Sequence, residues 1–153
     1  MATPSLPEIV RPQDAVLLYD GLCGFCDGTV RWLLRHTHAN DRKGRIYFAP
    51  QQSELAQVLF VRHGLCAAGH TVYLLIHPGK NTERVLERSD AILYALAMLG
   101  GAWKLLALLL YVLPHGLRDA AYAAIARNRY RIAGRRTECG LPSAEEKRRF
   151  LGL

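Results

Sequence analysis

Two cysteines three residues apart, in Asp20-Gly21-Leu22-Cys23-Gly24-Phe25-Cys26, directly follow the apolar run Val16-Leu17-Leu18-Tyr19. The run reads as a buried strand, and the residues from Asp27 onward read as an amphipathic helix. The thiols therefore stand where a strand ends and a helix begins. There the unpaired backbone N–H groups and the helix dipole favour negative charge on sulfur. Cys-x-x-Cys at a strand-to-helix junction is the layout of a thiol–disulfide redox centre.

The remaining chain supplies a fold able to hold such a centre. A loose arm, 1–14, carries Pro4, Pro7 and Pro12. A strand at 16–20 leads into a helix at 24–38, then a polar turn, a strand at 45–49 closed by Pro50, and a helix from Ser53 to Gly64. A strand at 71–76, a turn at 77–81 and a hairpin mate at 83–87 follow, and Ser89 is expected to cap the next helix, which stops at Gly100-Gly101. Further helices are expected at 103–113 and 115–133, broken by Pro114. A last short one starts at Ser143, whose capping box Glu146 completes. The order β-α-β-α-β-β-α predicts an α/β, thioredoxin-like core over 15–101, with a C-terminal helical extension over 102–153 packed on it as one domain. In that topology the third strand starts beside the end of the first, which places His70 and Thr71 next to Cys23.

The 153 residues suffice for a hydrophobic core without covalent staples. The N-terminus lacks the basic start and apolar stretch of a secretory signal, and the run 105–113 is too short to span a bilayer. A cytoplasmic location is expected, where four cysteines serve catalysis, metal binding or packing rather than structural disulfides. The net charge of +7 is uneven, since residues 127–153 hold eight Lys/Arg against three Glu. That basic region is a solvated face or a contact for an acidic partner or an anionic membrane surface. Nucleic acid is not an expected partner.

The same residues resemble a known family. Asp20, Cys23 and Cys26 match the motif of the DCC family of thiol–disulfide oxidoreductases. The likeness continues through Phe48-Ala49-Pro50-Gln51, Arg88-Ser89-Asp90-Ala91, Arg127-Asn128-Arg129-Tyr130, and Arg136 with Cys139 and Pro142. It covers about residues 15–151 and implies a thioredoxin-like fold with dithiol redox function. The chain departs from the broader thioredoxin pattern in having no proline between 51 and 77, where a cis proline would face the thiols. His70 or Thr71 fills that slot and is expected to shape the substrate groove.

In the chemistry these residues imply, Cys23, expected to be the more exposed thiol, attacks a protein or small-molecule disulfide, and Cys26 resolves the mixed disulfide. An external thiol donor restores the dithiol, with no cofactor or metal. Asp20 either bonds nearby N–H groups as a turn residue or accepts the Cys26 proton. Cys66 reads as a loop or core thiol. Cys139, among arginines, is a candidate auxiliary redox residue. Two alternatives remain: a zinc site built from Cys23, Cys26, His63 and Cys66, and an interaction module using the apolar helix Trp103–Leu110 and the basic tail.

Overall fold

A computed structural model of the protein describes residues 6–8, 10–37, 44–66, 71–135, 143–144 and 146–152. The elements are β1 (Ala15–Tyr19), α1 (Gly24–Thr37), β2 (Ile46–Pro50), α2 (Glu54–His63), β3 (Tyr73–Ile76), β4 (Arg84–Glu87), α3 (Arg88–Leu99), α4 (Gly101–Tyr111), α5 (His115–Ala133) and a 3-10 turn at Glu146–Arg149. The sheet order is β2-β1-β3-β4. β1 runs parallel to β2, with Leu17 opposite Phe48, and antiparallel to β3, with Leu18 opposite Tyr73. β4 completes the antiparallel hairpin. This is the expected thioredoxin-like α/β arrangement.

β1 is central, and all five of its residues are buried. Because successive strand side chains point to opposite faces, β1 feeds two cores. Leu17 and Tyr19 pack with Phe48, Leu74, Cys23, Cys26 and the inward sides of α1 and α3. Val16 and Leu18 pack with Tyr47, Leu75 and α2 residues Leu55, Leu59 and Phe60. An uninterrupted apolar strand is what a position covered on both faces requires.

Several local signals are realised in the structure. Ser53 Oγ accepts the Ala56 N–H at 3.3 Å, and α2 stops at Gly64, whose φ of 63° lies in the left-handed region. Ser143 and Glu146 bond reciprocally, as a capping box does, although they open a four-residue 3-10 turn. Ser89 does not cap α3. The cap position is Glu87, and the Ser89 hydroxyl donates to Asp119 of α5 at 2.5 Å. β3 begins at Tyr73 rather than Thr71: the Val72 carbonyl still accepts the Arg88 N–H at 3.1 Å, but two other backbone groups ahead of Tyr73 bond elsewhere. Gln51 Nε2 donates to the Thr71 carbonyl at 2.6 Å, and the Val72 N–H donates to the Tyr122 hydroxyl at 2.9 Å.

Trp103 of α4 meets Trp32 of α1 edge to face, with ring centroids 4.7 Å apart. Ala107 is nevertheless the only buried residue of α4. No helix among the described residues is long and apolar enough to cross a membrane.

Replacing Ser53 by Ala removes the α2 cap acceptor. It should lower stability by about 1 kcal/mol, read as a lower urea midpoint with unchanged slope; an unshifted midpoint would show that the cap contributes nothing.

Candidate functional site

The end of β1 and the start of α1 form the site. The Cys23 N–H donates to the Asp20 carbonyl at 3.2 Å, closing a turn, and the Asp27 N–H donates to the Cys23 carbonyl at 3.0 Å. The Cys26 N–H donates to Cys23 Sγ at 3.4 Å. One of the unpaired donors at the helix start is thus directed at the first sulfur.

The C-terminal end of α5 crosses this turn. Cys23 forms an antiparallel bridge with Arg135, and the Gly24 N–H donates to the Gly134 carbonyl at 3.4 Å. The approach is close enough that a Cβ on Gly24 would stand 2.6 Å from the Ala133 carbonyl oxygen. Glycine between the cysteines is therefore a steric requirement. The crossing also overturns the expectation that Cys23 is the more exposed thiol: Cys23 is 0% exposed and Cys26 is 7% exposed. Helix position alone gave the opposite order because it took no account of the chain that returns over the turn.

α5 also delivers two side chains that the sequence reading quoted only as part of the family likeness. Arg129 Nη2 donates to Asp20 Oδ2 at 2.9 Å, and Arg129 Nη1 lies 3.7 Å from Cys26 Sγ. The Tyr130 hydroxyl donates to the same Asp20 oxygen at 2.5 Å. The other oxygen, Oδ1, accepts from the Leu22 N–H at 3.0 Å and from Gln52 Nε2 at 3.1 Å. Burial pushes the Asp20 carboxyl up. The bonds from Tyr130, Leu22 and Gln52, together with the Arg129 charge, outweigh burial and hold it below the ordinary value. Asp20 thus makes the turn contact expected of it, and it meets Cys26 through the intervening guanidinium. Only the adjacent Arg129-Tyr130 pair hinted at this site in sequence, since nothing local joins residue 129 to residue 20.

The Cys26 thiol is raised well above its ordinary value. Burial is the main cause, followed by the hydrogen bond with Cys23 and the Cys23 and Asp20 charges, with Arg129 opposing. Beside Cys26 lies an apolar cavity of about 60 Å³, lined also by Leu17, Phe25, Val72, Tyr122 and Arg129. Thr71 is buried next to Val72, its carbonyl held by Gln51. His70 and Cys139 lie outside the described residues. Cys66 is free and exposed near the end of α2. The zinc alternative is corrected here: Cys23, Cys26, His63 and Cys66 are not gathered, and no three candidate ligands converge among the described residues. His63 instead bonds Glu83 at 2.9 Å.

The comparisons with known proteins agree with this geometry. The family model for DCC1-like thiol-disulfide oxidoreductases matches residues 17–135, a span running from β1 through the end of α5. The chain is 36% identical over 136 residues to uncharacterized protein YuxK of Bacillus subtilis, covering 89% of this chain and 93% of that protein. It is 30% identical over 126 residues to a DCC family protein, chloroplastic, of Arabidopsis thaliana, covering 82% of this chain and 69% of that one. No solved structure matches significantly. The chain belongs to the DCC1-like thiol-disulfide oxidoreductase family.

Burial orders the thiols in a way alkylation can read. In the folded, reduced protein Cys66 should react with iodoacetamide ahead of Cys23 and Cys26, which lag until urea is added, as followed by peptide mapping. Equal rates for Cys23 and Cys66 without denaturant would contradict the covered dithiol.

Proposed function

We propose that this family member reduces substrate disulfides through the Cys23–Cys26 dithiol, with Cys23 attacking and Cys26 resolving. The observation that carries the reading is the division of labour around the two sulfurs. Cys23 Sγ receives the N–H of the first helical turn, whereas Cys26 Sγ is held protonated by burial and faces Arg129. Attack first requires the Ala133–Arg135 segment to move off the turn, where the Gly24 N–H reaches the Gly134 carbonyl at 3.4 Å.

The electrons balance between two sulfur pairs. The Cys23 thiolate bonds one sulfur of the substrate disulfide; the other sulfur leaves as a thiolate and takes a proton. Cys26 then loses its proton to solvent and attacks the Cys23 sulfur, expelling the second substrate thiol. The protein ends as a disulfide and the substrate as two thiols, two electrons having moved. A thiol donor returns the protein to the dithiol, and a reducing compartment such as the cytoplasm favours this direction.

Arg129 explains the timing. In the reduced protein the proximity and charge of Cys23 oppose ionisation of Cys26. Once Cys23 is bonded to substrate that opposition is gone, and the guanidinium 3.7 Å away stabilises the Cys26 thiolate as it forms. Asp20 is a positioning residue in this scheme. Its carboxylate, accepting four hydrogen bonds and held below its ordinary value, is a poorer base than a free carboxylate and a firm anchor for Arg129. Thr71 borders the groove through its neighbour Val72.

Cys23→Ser should abolish disulfide exchange, and Cys26→Ser should accumulate a mixed disulfide that mass spectrometry detects. Full exchange by Cys23→Ser would reverse the assignment.

A second test separates chemistry from scaffolding. Arg129→Met removes the charge that lowers the Cys26 value, so the pH profile of resolution should move to higher pH and the mixed disulfide should persist at neutral pH, with the first attack less affected. Arg129→Lys should recover part of the profile. A pH profile unchanged in a folded Arg129→Met protein would remove Arg129 from the mechanism.

A further inference from the structure

α4 and α5 carry an apolar surface that the redox chemistry does not use. Along α4 and the bend after it, Leu105, Leu108, Leu109, Tyr111 and Val112 are all more than half exposed, Val112 reaching 82%. On α5, Leu117, Ile125 and Ile132 are also exposed. Their spacings of eight and seven residues put them on one face of that helix. Soluble surfaces rarely expose so many large apolar side chains together unless something covers them.

Charge indicates what that is. Residues 101–135 contain six Lys/Arg and a single acid, Asp119. Asp119 is already engaged by Ser89, with His115 and Arg88 close by. Arg127 and Arg131, one turn apart on α5, are exposed, as are Lys104 and Arg135. A second copy of this surface would set these cations against one another, whereas anionic headgroups would neutralise them. α4 has 11 residues, so it is about 16 Å long, roughly half a bilayer's hydrocarbon thickness. A helix of this length cannot span the hydrocarbon core, so its exposed apolar side meets a bilayer from the surface.

We infer that the α4–α5 face docks on an anionic lipid bilayer surface, its leucines entering the acyl boundary and its arginines the headgroup layer. The face adjoins the dithiol. An apolar groove of about 370 Å³, lined by Leu110, Leu113 and Leu117 among others, shares Phe25, Tyr122 and Ile125 with the cavity beside Cys26. Docking thus sets the approach to Cys26 against the lipid. The docking itself does not rest on the redox reading.

The test is cosedimentation of the full chain with vesicles of phosphatidylcholine alone or of equal parts phosphatidylcholine and phosphatidylglycerol. Binding should be strong only to the anionic vesicles and should weaken with salt. Leu109→Glu with Val112→Glu should cut it at least about tenfold. Arg127→Glu with Arg131→Glu should also cut it at least about tenfold. Val61→Glu, at an exposed site on α2, should leave it unchanged, as should replacing both Cys23 and Cys26 by Ser, which ends exchange but not docking. Failure to bind anionic vesicles, or binding insensitive to the α4 variants, would overturn the inference. So would a stable dimer in sedimentation velocity that the α4 variants dissociate, since the face would then be a protein interface.

Discussion

The buried ion pair between Asp20 and Arg129 holds this molecule's chemistry in place. The two side chains are 5% and 3% exposed and lie 109 residues apart in sequence. Burying either charge alone would cost several kcal/mol. Here each offsets the other, and Tyr130, Gln52 and the Leu22 N–H complete the carboxylate's bonding. The pair ties the last long helix to the turn that presents the thiols. It also brings a cation to Cys26, with Arg129 Nη1 3.7 Å from the sulfur, so tertiary closure and sulfur electrostatics share one contact.

How much of this was legible in the sequence follows from the range of the forces involved. Strands and helices with their own apolar periodicity were readable, and β1 through α5 came within a few residues of expectation. Ser53 and Gly64 bound α2 through neighbours within five positions, so local chemistry sufficed. Ser89 looked equally like a cap, but Asp119, thirty residues away, takes its hydroxyl. Thr71 and Val72 looked like strand and are diverted by Gln51 and Tyr122. In each miss a distant partner outcompeted a neighbour.

The site divides along the same line. Cys-x-x-Cys after an apolar strand specifies its own local geometry, including the N–H directed at Cys23. The covering of Cys23, the steric need for Gly24 and the placement of Arg129 all depend on where α5 ends, which no local pattern encodes. The exposed leucines of α4 differ again. Their hydrophobicity was plain in the sequence, but a run apolar on every side reads the same whether a protein core or another medium surrounds it.

The long reach from Asp20 to Arg129 has a consequence during biosynthesis. A ribosome adds about 5–20 residues per second, so the dithiol turn emerges roughly 5–20 s before the helix that shields it. Throughout that interval the two thiols of the nascent polypeptide are open to oxidants and to stray disulfides. Completion of the chain therefore doubles as the closing step of the redox centre, and a product truncated before α5 would carry a dithiol stripped of both its cover and its arginine.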